Sequence, residues 1–87
     1  MAKSVQKKSP VESAIQSKII RRYEKEGYLV VKINLCSKPG FPDLMLLKDG
    51  KASFIEVKRP GESPRPLQMF RIQELRDAGF ICEVLTE

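Results

Sequence analysis

Residues 40–59 read GFPDLMLLKDGKASFIEVKR, and this stretch decides the fold. Two apolar, strand-forming runs flank the dipeptide Asp49-Gly50, which is typical of a tight turn between antiparallel strands. The stretch therefore predicts a β-hairpin whose strands span residues 41–47 and 52–58. Because the residues of both strands are largely apolar, we expect the hairpin to be buried in the core.

Three charged residues interrupt this apolar hairpin: Asp43, Glu56 and Lys58. Successive strand residues point to opposite faces, so Glu56 and Lys58 share one face and Val57 points to the other. We expect Lys58 to lie across the ladder from Asp43. Charged groups beside a core cost several kcal/mol unless they are paired or bind a metal. Two converging carboxylates can hold a divalent cation, and a neighbouring lysine can stabilise a negatively charged transition state, so the pattern indicates a metal-dependent phosphodiesterase.

A helix and a strand precede the hairpin. Ser9-Pro10-Val11-Glu12 predicts the first helical turn, since Ser9 can cap it, proline suits the first position and Glu12 completes a capping box. Gly27 ends the helix, and the β-branched and aromatic residues 28–35 predict a strand. The helix is expected to bury one apolar stripe, formed by Val11, Ala14, Ile15, Ile19 and Tyr23.

A second helix and a last strand follow the hairpin. Three prolines and a glycine mark residues 59–66 as a loop, a helix is predicted from Pro66 to about Ala78, and Gly79 closes it. Residues 80–85 then predict a short strand. The order α-β-β-β-α-β predicts an α/β fold in which helices flank a mixed sheet. The expected core contacts of the second helix are Leu67, Phe70, Leu75 and Ala78.

The chain length of 87 residues predicts a single domain at residues 9–87, after a flexible basic tail at residues 1–8. No apolar stretch approaches the ~18 residues that span a bilayer, and no signal-peptide pattern follows the first lysines. We therefore expect a cytoplasmic protein with no membrane partner. Cys36 and Cys82 lack the spacing of a metal site, so reduced core thiols are expected, with a disulfide between them left open.

The net charge of +5 favours a polyanionic partner only weakly, because three of the charges are lysines of the tail. The distribution is more informative: residues 58–76 contain five basic and two acidic residues, directly after the carboxylate site. This local excess fits contact with nucleic acid. When the excess is taken alone, a solvated charged face is the better explanation.

Several motifs together resemble a known family. The set of Glu12, Gly40-x-Pro42-Asp43, Glu56-x-Lys58 and Gln68 resembles the PD-(D/E)XK nuclease superfamily. Within it, Pro60-Gly61-Glu62, Arg65-Pro66-Leu67-Gln68 and Asp77-Ala78-Gly79 resemble a stand-alone VRR-NUC domain of the kind found in bacteriophages and bacteria. The match runs from Glu12 to about Val84 and implies a restriction-endonuclease-like core. An archaeal-type Holliday-junction resolvase is similar in motif order, but the Pro-Gly pair and the compact length favour VRR-NUC.

The resemblance implies a role for each motif residue. Asp43, Glu56 and the backbone carbonyl of Val57 would bind Mg²⁺ or Mn²⁺, with waters completing the shell. Lys58 would orient the attacking water or stabilise charge on the phosphate. Glu12 would bind an outer-shell water or a second ion, and Gln68 would organise the site or contact the scissile phosphate. Candidate contacts to the DNA backbone are Lys38, Arg59, Arg65 and Arg71.

Each of these residues also has a purely structural interpretation. Asp43 could cap a turn after Pro42, Glu56 could pair with Lys58 or Lys32, and Lys58 could be a surface lysine in a salt bridge. The capping box accounts for Glu12, and a polar residue at a helix start accounts for Gln68. Histidine is absent from the chain, and no serine or cysteine has a partner for nucleophilic catalysis, so water activated by a metal fits the composition best.

Three functions remain open at this point. The first is a metal-dependent, structure-selective DNA endonuclease that acts on branched DNA as a homodimer, as Holliday-junction resolvases do. The second is a replication-repair or restriction-like nuclease on flaps or duplex, although the chain shows no helix-turn-helix that would read sequence. The third is a nucleic-acid-binding module without catalysis, which has no need for a buried pair of carboxylates.

Overall fold

The computed structural model describes residues 10–86, so the predicted tail at residues 1–8 and the Ser9 cap lie outside the described residues. Two helices and four strands follow one another in the order α-β-β-β-α-β, which confirms the predicted order. Their bounds are α1 Pro10–Lys25, β1 Leu29–Lys32, β2 Leu44–Lys48, β3 Lys51–Lys58, α2 Pro66–Asp77 and β4 Ile81–Thr86.

The four strands form one sheet in the order β1-β2-β3-β4. The first three are antiparallel neighbours, whereas β4 runs parallel to β3. A parallel pair needs a crossover connection, and α2 supplies it between β3 and β4. The sheet is therefore mixed and flanked by helices, as the sequence predicts.

The predicted hairpin is formed by β2 and β3. Asp49 and Gly50 make the two-residue turn, with φ of 53° and 74°, and Lys48 pairs with Lys51 on either side of it. Positive φ at both central residues is the requirement of a type I′ turn, whose twist matches that of the strands. The turn thus fixes the register with which the two strands pair.

The hydrophobic core has two layers, one on each face of the sheet. Ile15 and Ile19 of α1 pack against one face, and Ile72 of α2 packs against the other beside Phe54 and Cys82. The buried members on the α1 side are Ile15, Ile19, Leu44, Leu46, Ile55 and Val57. Alternation along β3 sends Ile55 and Val57 to the α1 side, and Phe54, Glu56 and Lys58 to the α2 side.

The predicted core contacts of the helices are partly wrong. In α1, Ile15 and Ile19 are buried as expected and Tyr23 is half-buried, but Val11 and Ala14 are exposed. Both residues lie in the first five positions of the helix, so its N-terminal part buries less apolar surface than the sequence predicts. Gln16 is buried beside Ile15 instead.

In α2, the expected core residues Leu67, Phe70 and Ala78 are exposed, and Leu75 is half-buried. The buried residues of this helix are Gln68 and Ile72. They are four residues apart and share one face, because successive turns bring positions i and i+4 together. This helix therefore presents a polar side chain to the sheet where a sequence pattern predicts only apolar ones.

Two further expectations need correction. The first strand ends at Lys32 instead of residue 35, and Ile33 continues the chain by donating its N–H to the backbone oxygen of Asp43 at 2.8 Å. Cys36 is exposed in the loop between β1 and β2, so only Cys82 is a core thiol. Both cysteines are free, which leaves no disulfide.

Candidate active site

The charged residues of the hairpin are buried on the face of the sheet that α2 covers. Asp43, Glu56, Lys58 and Gln68 are each at most 6% exposed. Three of them come from the β2–β3 hairpin and its flank, and Gln68 comes from the first turn of α2. The structure therefore brings together four of the five predicted catalytic residues.

Gln68 is held in place by both ends of its amide. Its Oε1 accepts the backbone N–H of Arg65 at 2.8 Å, and its Nε2 donates to Oε2 of Glu56 at 3.0 Å. The first bond satisfies an N–H just before the helix, which is half of a capping box. The second reaches the carboxylate on β3, so one side chain both begins α2 and orients Glu56.

Lys58 lies beside the same carboxylate. Its Nζ is 3.6 Å from Oε2 of Glu56, and the lysine side chain is only 7% exposed. The alternation of β3 places both side chains on one face, as predicted. The ammonium group is thus within ion-pair distance of a buried carboxylate.

Asp43 is tied to both neighbouring segments of the sheet. Its Oδ2 accepts the backbone N–H of Val57 at 2.8 Å, and its backbone oxygen accepts the N–H of Ile33. The expected position of Lys58 across the ladder from Asp43 is wrong, because Leu44 pairs with Ile55. One step further along this register, Asp43 lies beside Glu56.

The donor chemistry of this pair fits a magnesium-type ion. Mg²⁺ is usually held by one or two carboxylates and keeps several waters, which is what Asp43 and Glu56 can offer. Among residues 10–86, no three His, Cys, Asp or Glu side chains cluster closely enough to form a metal site from protein ligands alone. Two carboxylates with waters therefore suit the site better than a closed protein cage.

Glu12 does not join these carboxylates in a three-ligand cluster within the described residues. It lies in the first turn of α1 and is half-buried. Its charge helps to raise the pKa of Arg59, after the larger effects of the hydrogen bond and ion pair with Glu62.

A groove of about 260 Å³ opens onto Asp43 and Gln68. Its wall is the loop between β1 and β2, and the side chains of Lys38 and Arg65 also line it. Arg65 is exposed, as is Lys38. Two of the four predicted DNA contacts therefore lie next to the carboxylate site.

The other two predicted DNA contacts have protein partners. Arg59 donates from Nε to Oε2 of Glu62 at 3.1 Å and also from Nη2 to the same oxygen. This hydrogen-bonded ion pair raises the pKa of Arg59 and lowers the pKa of Glu62. Arg71 donates from Nε to the backbone oxygen of Pro39 at 2.9 Å and from Nη1 to Glu74.

Two features of the site have no clear signal in the sequence. Gln16 is almost completely buried, and among residues 10–86 its Oε1 accepts no hydrogen bond. Its spacing of four residues from Glu12 is the one available hint, since the two share a helix face. The apolar wall of the groove, which includes Ile33 and Leu35, comes from a loop that a periodicity analysis does not place.

None of the helices formed by residues 10–86 has the length and apolar character needed to cross a membrane.

Comparison with known proteins agrees with this geometry. A family model described as the VRR-NUC domain matches residues 34–86, a range that contains Asp43, Glu56, Lys58 and Gln68 but not Glu12. "Putative nuclease p44" of Acyrthosiphon pisum secondary endosymbiont phage 1 is 36% identical over 59 residues, 67% of this chain and 63% of the phage protein. The matched region thus spans less than two thirds of the length of that relative.

A solved structure described as a VRR_NUC domain has the same fold. It superposes with a TM-score of 0.79 at 31% sequence identity, over 87% of this chain and 84% of the other. The family model takes in more than half of the chain, and the structural match takes in most of it. The chain belongs to the VRR-NUC domain family of nucleases.

Proposed function

We propose that this protein is a metal-dependent, structure-selective DNA endonuclease that hydrolyses phosphodiester bonds in branched DNA. The observation that carries the proposal is the buried cluster of Asp43, Glu56, Lys58 and Gln68 beside a groove lined by basic residues. Four polar side chains buried together cost stability, and a nuclease site gives them a purpose. The family membership supports the same chemistry.

Asp43 and Glu56 are the proposed ligands of Mg²⁺ or Mn²⁺, with the backbone carbonyl of Val57 as a third. When bound, the ion lowers the pKa of a water and neutralises charge on the scissile phosphate. The protein fixes both carboxylates beforehand: Asp43 accepts the N–H of Val57, and Glu56 accepts from Gln68. Rigid ligands of this kind lose little free energy to reorganisation during the reaction.

Lys58 is the proposed catalytic cation. Its ammonium group lies 3.6 Å from Glu56 Oε2 and can donate to a phosphate oxygen or to the attacking water without changing its protonation state. Gln68 positions Glu56 through its hydrogen bond. Glu12, half-buried in the first turn of α1, is proposed to hold an outer-shell water or a second ion. The products would be a 5′-phosphate and a 3′-hydroxyl, as in the family.

Lys38, Arg59, Arg65 and Arg71 are the proposed contacts to the DNA backbone. Such contacts set the register and orientation of the substrate without reading its sequence. Lys38 and Arg65 line the groove directly, whereas Arg59 first has to exchange its ion pair with Glu62 for a phosphate. Arg71 contributes mainly by fixing the loop at Pro39 on which Lys38 is carried.

The active form is proposed to be a homodimer, which presents two sites to a four-way junction. Large apolar side chains remain exposed among the described residues, which is compatible with a further interface. Six of them lie on or next to α2 and β4: Leu67, Met69, Phe70, Phe80, Ile81 and Val84. Sedimentation that shows a monomer at micromolar concentration would contradict this part. The proposed location is the cytoplasm, that of the host if the chain is encoded by a phage.

The proposal is tested by cleavage of a labelled four-way junction, a flap and a plain duplex of matched sequence, with Mg²⁺, Mn²⁺ or EDTA. We expect symmetric, metal-dependent cuts in the junction alone, and we expect Lys58→Ala to abolish them. Equal cleavage of flap or duplex would assign a replication-repair or restriction-like role. Binding without cleavage in any metal would assign a binding module and overturn the catalytic roles.

A further inference from the structure

The groove beside Asp43 and Gln68 combines a polar floor with an apolar wall. Four apolar residues of the β1–β2 connection line it, together with the backbone of Gly40. They are Ile33, Leu35, Pro39 and Phe41. The side chain of Leu35 is 67% exposed. An apolar side chain so open to solvent next to a charged site suits contact with an apolar part of the substrate.

This wall is held in position by the surrounding structure. Ile33 donates its N–H to the backbone oxygen of Asp43 at 2.8 Å, and Phe41 donates its N–H to Lys38 at 3.3 Å. On the other side, Arg71 of α2 donates to the backbone oxygen of Pro39 at 2.9 Å. These hydrogen bonds hold the loop that lines the groove at both of its ends, and α2 holds it at Pro39.

Gly40 adds a packing constraint to the same loop. Its φ is +81°, and a Cβ at this position would lie 2.9 Å from Cγ of Leu67 and 3.2 Å from the backbone of that residue. Only glycine allows this close approach without moving the start of α2. The backbone of the loop at Gly40 thus packs directly against Leu67 of α2. This packing fixes the loop that lines the groove, so the groove is preformed.

The size and the charges of the groove point to one occupant. Its volume of about 260 Å³ lies below the ~300–1,000 Å³ that is typical of pockets for drug-sized ligands, so it suits a single small group. Lys38 and Arg65 can hold phosphate oxygens at its rim, and the apolar wall suits the face of a nucleobase. A nucleotide has both parts in one unit.

A base that is stacked inside duplex DNA cannot enter a groove in this position. The nucleotide has to leave the stack, which costs a few kcal/mol in a paired duplex and least where the base is already unpaired. At the branch point of a junction the base pairs lose part of their stacking, so a nucleotide leaves the stack there at lower cost than inside a continuous duplex. The groove therefore gives a physical reason for selecting DNA by its structure.

We propose that the groove binds one unstacked nucleotide adjacent to the scissile phosphate, with Leu35 in contact with its base. The inference rests on the proposed nuclease function and names the substrate class of that site: DNA in which the nucleotide next to the cut leaves the stack easily, as at a branch point. Leu35 acts as a specificity-determining residue, because apolar side chains placed at a base step stabilise the unstacked form.

The test begins with wild-type cleavage, which maps the scissile phosphate. A 2-aminopurine base is then placed in the junction on one side of that phosphate or on the other. Emission is followed on binding with Ca²⁺ in place of Mg²⁺, and intact DNA is verified on a denaturing gel. Because 2-aminopurine brightens when it leaves the stack, we expect the wild-type protein to raise emission at one of the two positions.

Two variants separate the role of Leu35 from a general loss of apolar surface. Leu35→Ala is expected to lose the rise in emission, and Leu35→Met is expected to keep it. Leu29→Ala is the matched control, since Leu29 is 62% exposed on the edge strand β1 and does not line the groove. Because Leu35 is exposed, none of these changes removes core packing.

Cleavage supplies a second readout. A junction with one unpaired nucleotide beside the cut should be cleaved faster than the fully paired junction by the wild-type protein. Leu35→Ala should lower this preference about tenfold, the effect of losing part of the burial of one leucine side chain. Leu29→Ala should leave the preference unchanged.

The outcomes are distinguishable. Cleavage by the wild-type protein without brightening at either position, or equal brightening with Leu35→Ala, overturns the groove proposal and leaves the nuclease function in place. No cleavage of any substrate in any metal overturns both. Brightening and preference that depend on Leu35 but not on Leu29 support the proposal.

Discussion

Gln68 donates a hydrogen bond of 3.0 Å to Oε2 of Glu56, so the first turn of α2 orients a carboxylate on β3. The same side chain accepts the N–H of Arg65 at 2.8 Å, which fixes the amide orientation because only its oxygen can accept that proton. The contact therefore links the start of a helix to the proposed metal ligand. Any change at Gln68 acts on both.

Replacing Gln68 by alanine should lower cleavage by about 10- to 100-fold, the usual effect of removing a group that orients a metal ligand. The Mn²⁺ concentration needed for half-maximal cleavage should rise as well, which distinguishes a positioning role from simple loss of folding. Gln73→Ala is the matched control, since Gln73 is an exposed glutamine on the same helix that contacts only Asp77 among the described residues. Equal losses in both variants would contradict the prediction.

Asp43 allows the structural and chemical roles of one side chain to be separated. Asp43→Ala should remove the acceptor of the Val57 N–H and destabilise the fold by about 1–3 kcal/mol, because a buried donor loses its partner. Asp43→Asn keeps an oxygen at this position and should unfold closer to the wild-type temperature. Both variants should lose metal-dependent cleavage. Thermal unfolding of the three proteins, followed by cleavage assays, checks both parts, and identical melting temperatures would be evidence against the hydrogen bond.

Glu62 should limit how well Arg59 binds DNA. The ion pair occupies the guanidinium and keeps the pKa of Glu62 below its ordinary value, so the carboxylate stays charged as the pH falls until that lowered pKa is reached. Glu62→Gln should bind DNA more tightly and steepen the dependence of log K on log salt by about 0.9 for one extra phosphate contact. Glu83→Gln makes the same change of charge on β4 and serves as the control. An unchanged salt dependence in Glu62→Gln would show that Arg59 makes no phosphate contact.

The two thiols should differ in reactivity. Cys36 is exposed, whereas burial raises the pKa of the Cys82 thiol and keeps it protonated. A thiol reagent should therefore modify one cysteine per folded chain and the second only on unfolding, and Cys36→Ser should have no fast-reacting thiol. Reaction of both thiols at one rate would contradict this assignment.

The raised pKa of Cys82 also determines how the stability of the fold changes with pH. Because the folded-state pKa of Cys82 is above its unfolded value, the contribution of this residue to stability is complete below the unfolded thiol pKa. It is lost as the pH rises from there through the folded-state value. Unfolding by denaturant at neutral and alkaline pH, compared between the wild-type protein and Cys82→Ala, measures the loss.

Much of the site could be predicted because its signals are local. The dipeptide Asp49-Gly50 and the apolar runs around it define the hairpin, and motif residues on one strand keep their spacing in space. The register was predictable too: a two-residue turn pairs Lys48 with Lys51, and counting back from it brings Asp43 beside Glu56. The expected pairing of Asp43 with Lys58 did not take this register into account.

The errors arise where tertiary contacts decide burial. Leu67 and Phe70 have the composition of core residues, yet α2 turns Gln68 and Ile72 towards the sheet because the buried Glu56 needs a donor there. Similarly, Val11 belongs to the predicted apolar stripe of α1, yet it is exposed at the start of that helix. Hydrophobic periodicity shows which residues of a helix are apolar. It does not show that a buried polar group elsewhere in the fold needs a hydrogen-bond partner from one particular face of that helix.

The parallel pairing of β4 with β3 also sets the order in which the proposed site can be completed as the chain folds. Asp43, Glu56 and Lys58 lie within or next to one local hairpin, but the position of Gln68 depends on α2, whose far end is held by β4 through Arg76 and the backbone oxygen of Cys82. Contacts between distant parts of a chain form late because closing the loop costs entropy. We therefore expect the two carboxylates to come together early in folding and Gln68 to join them only after the crossover has closed.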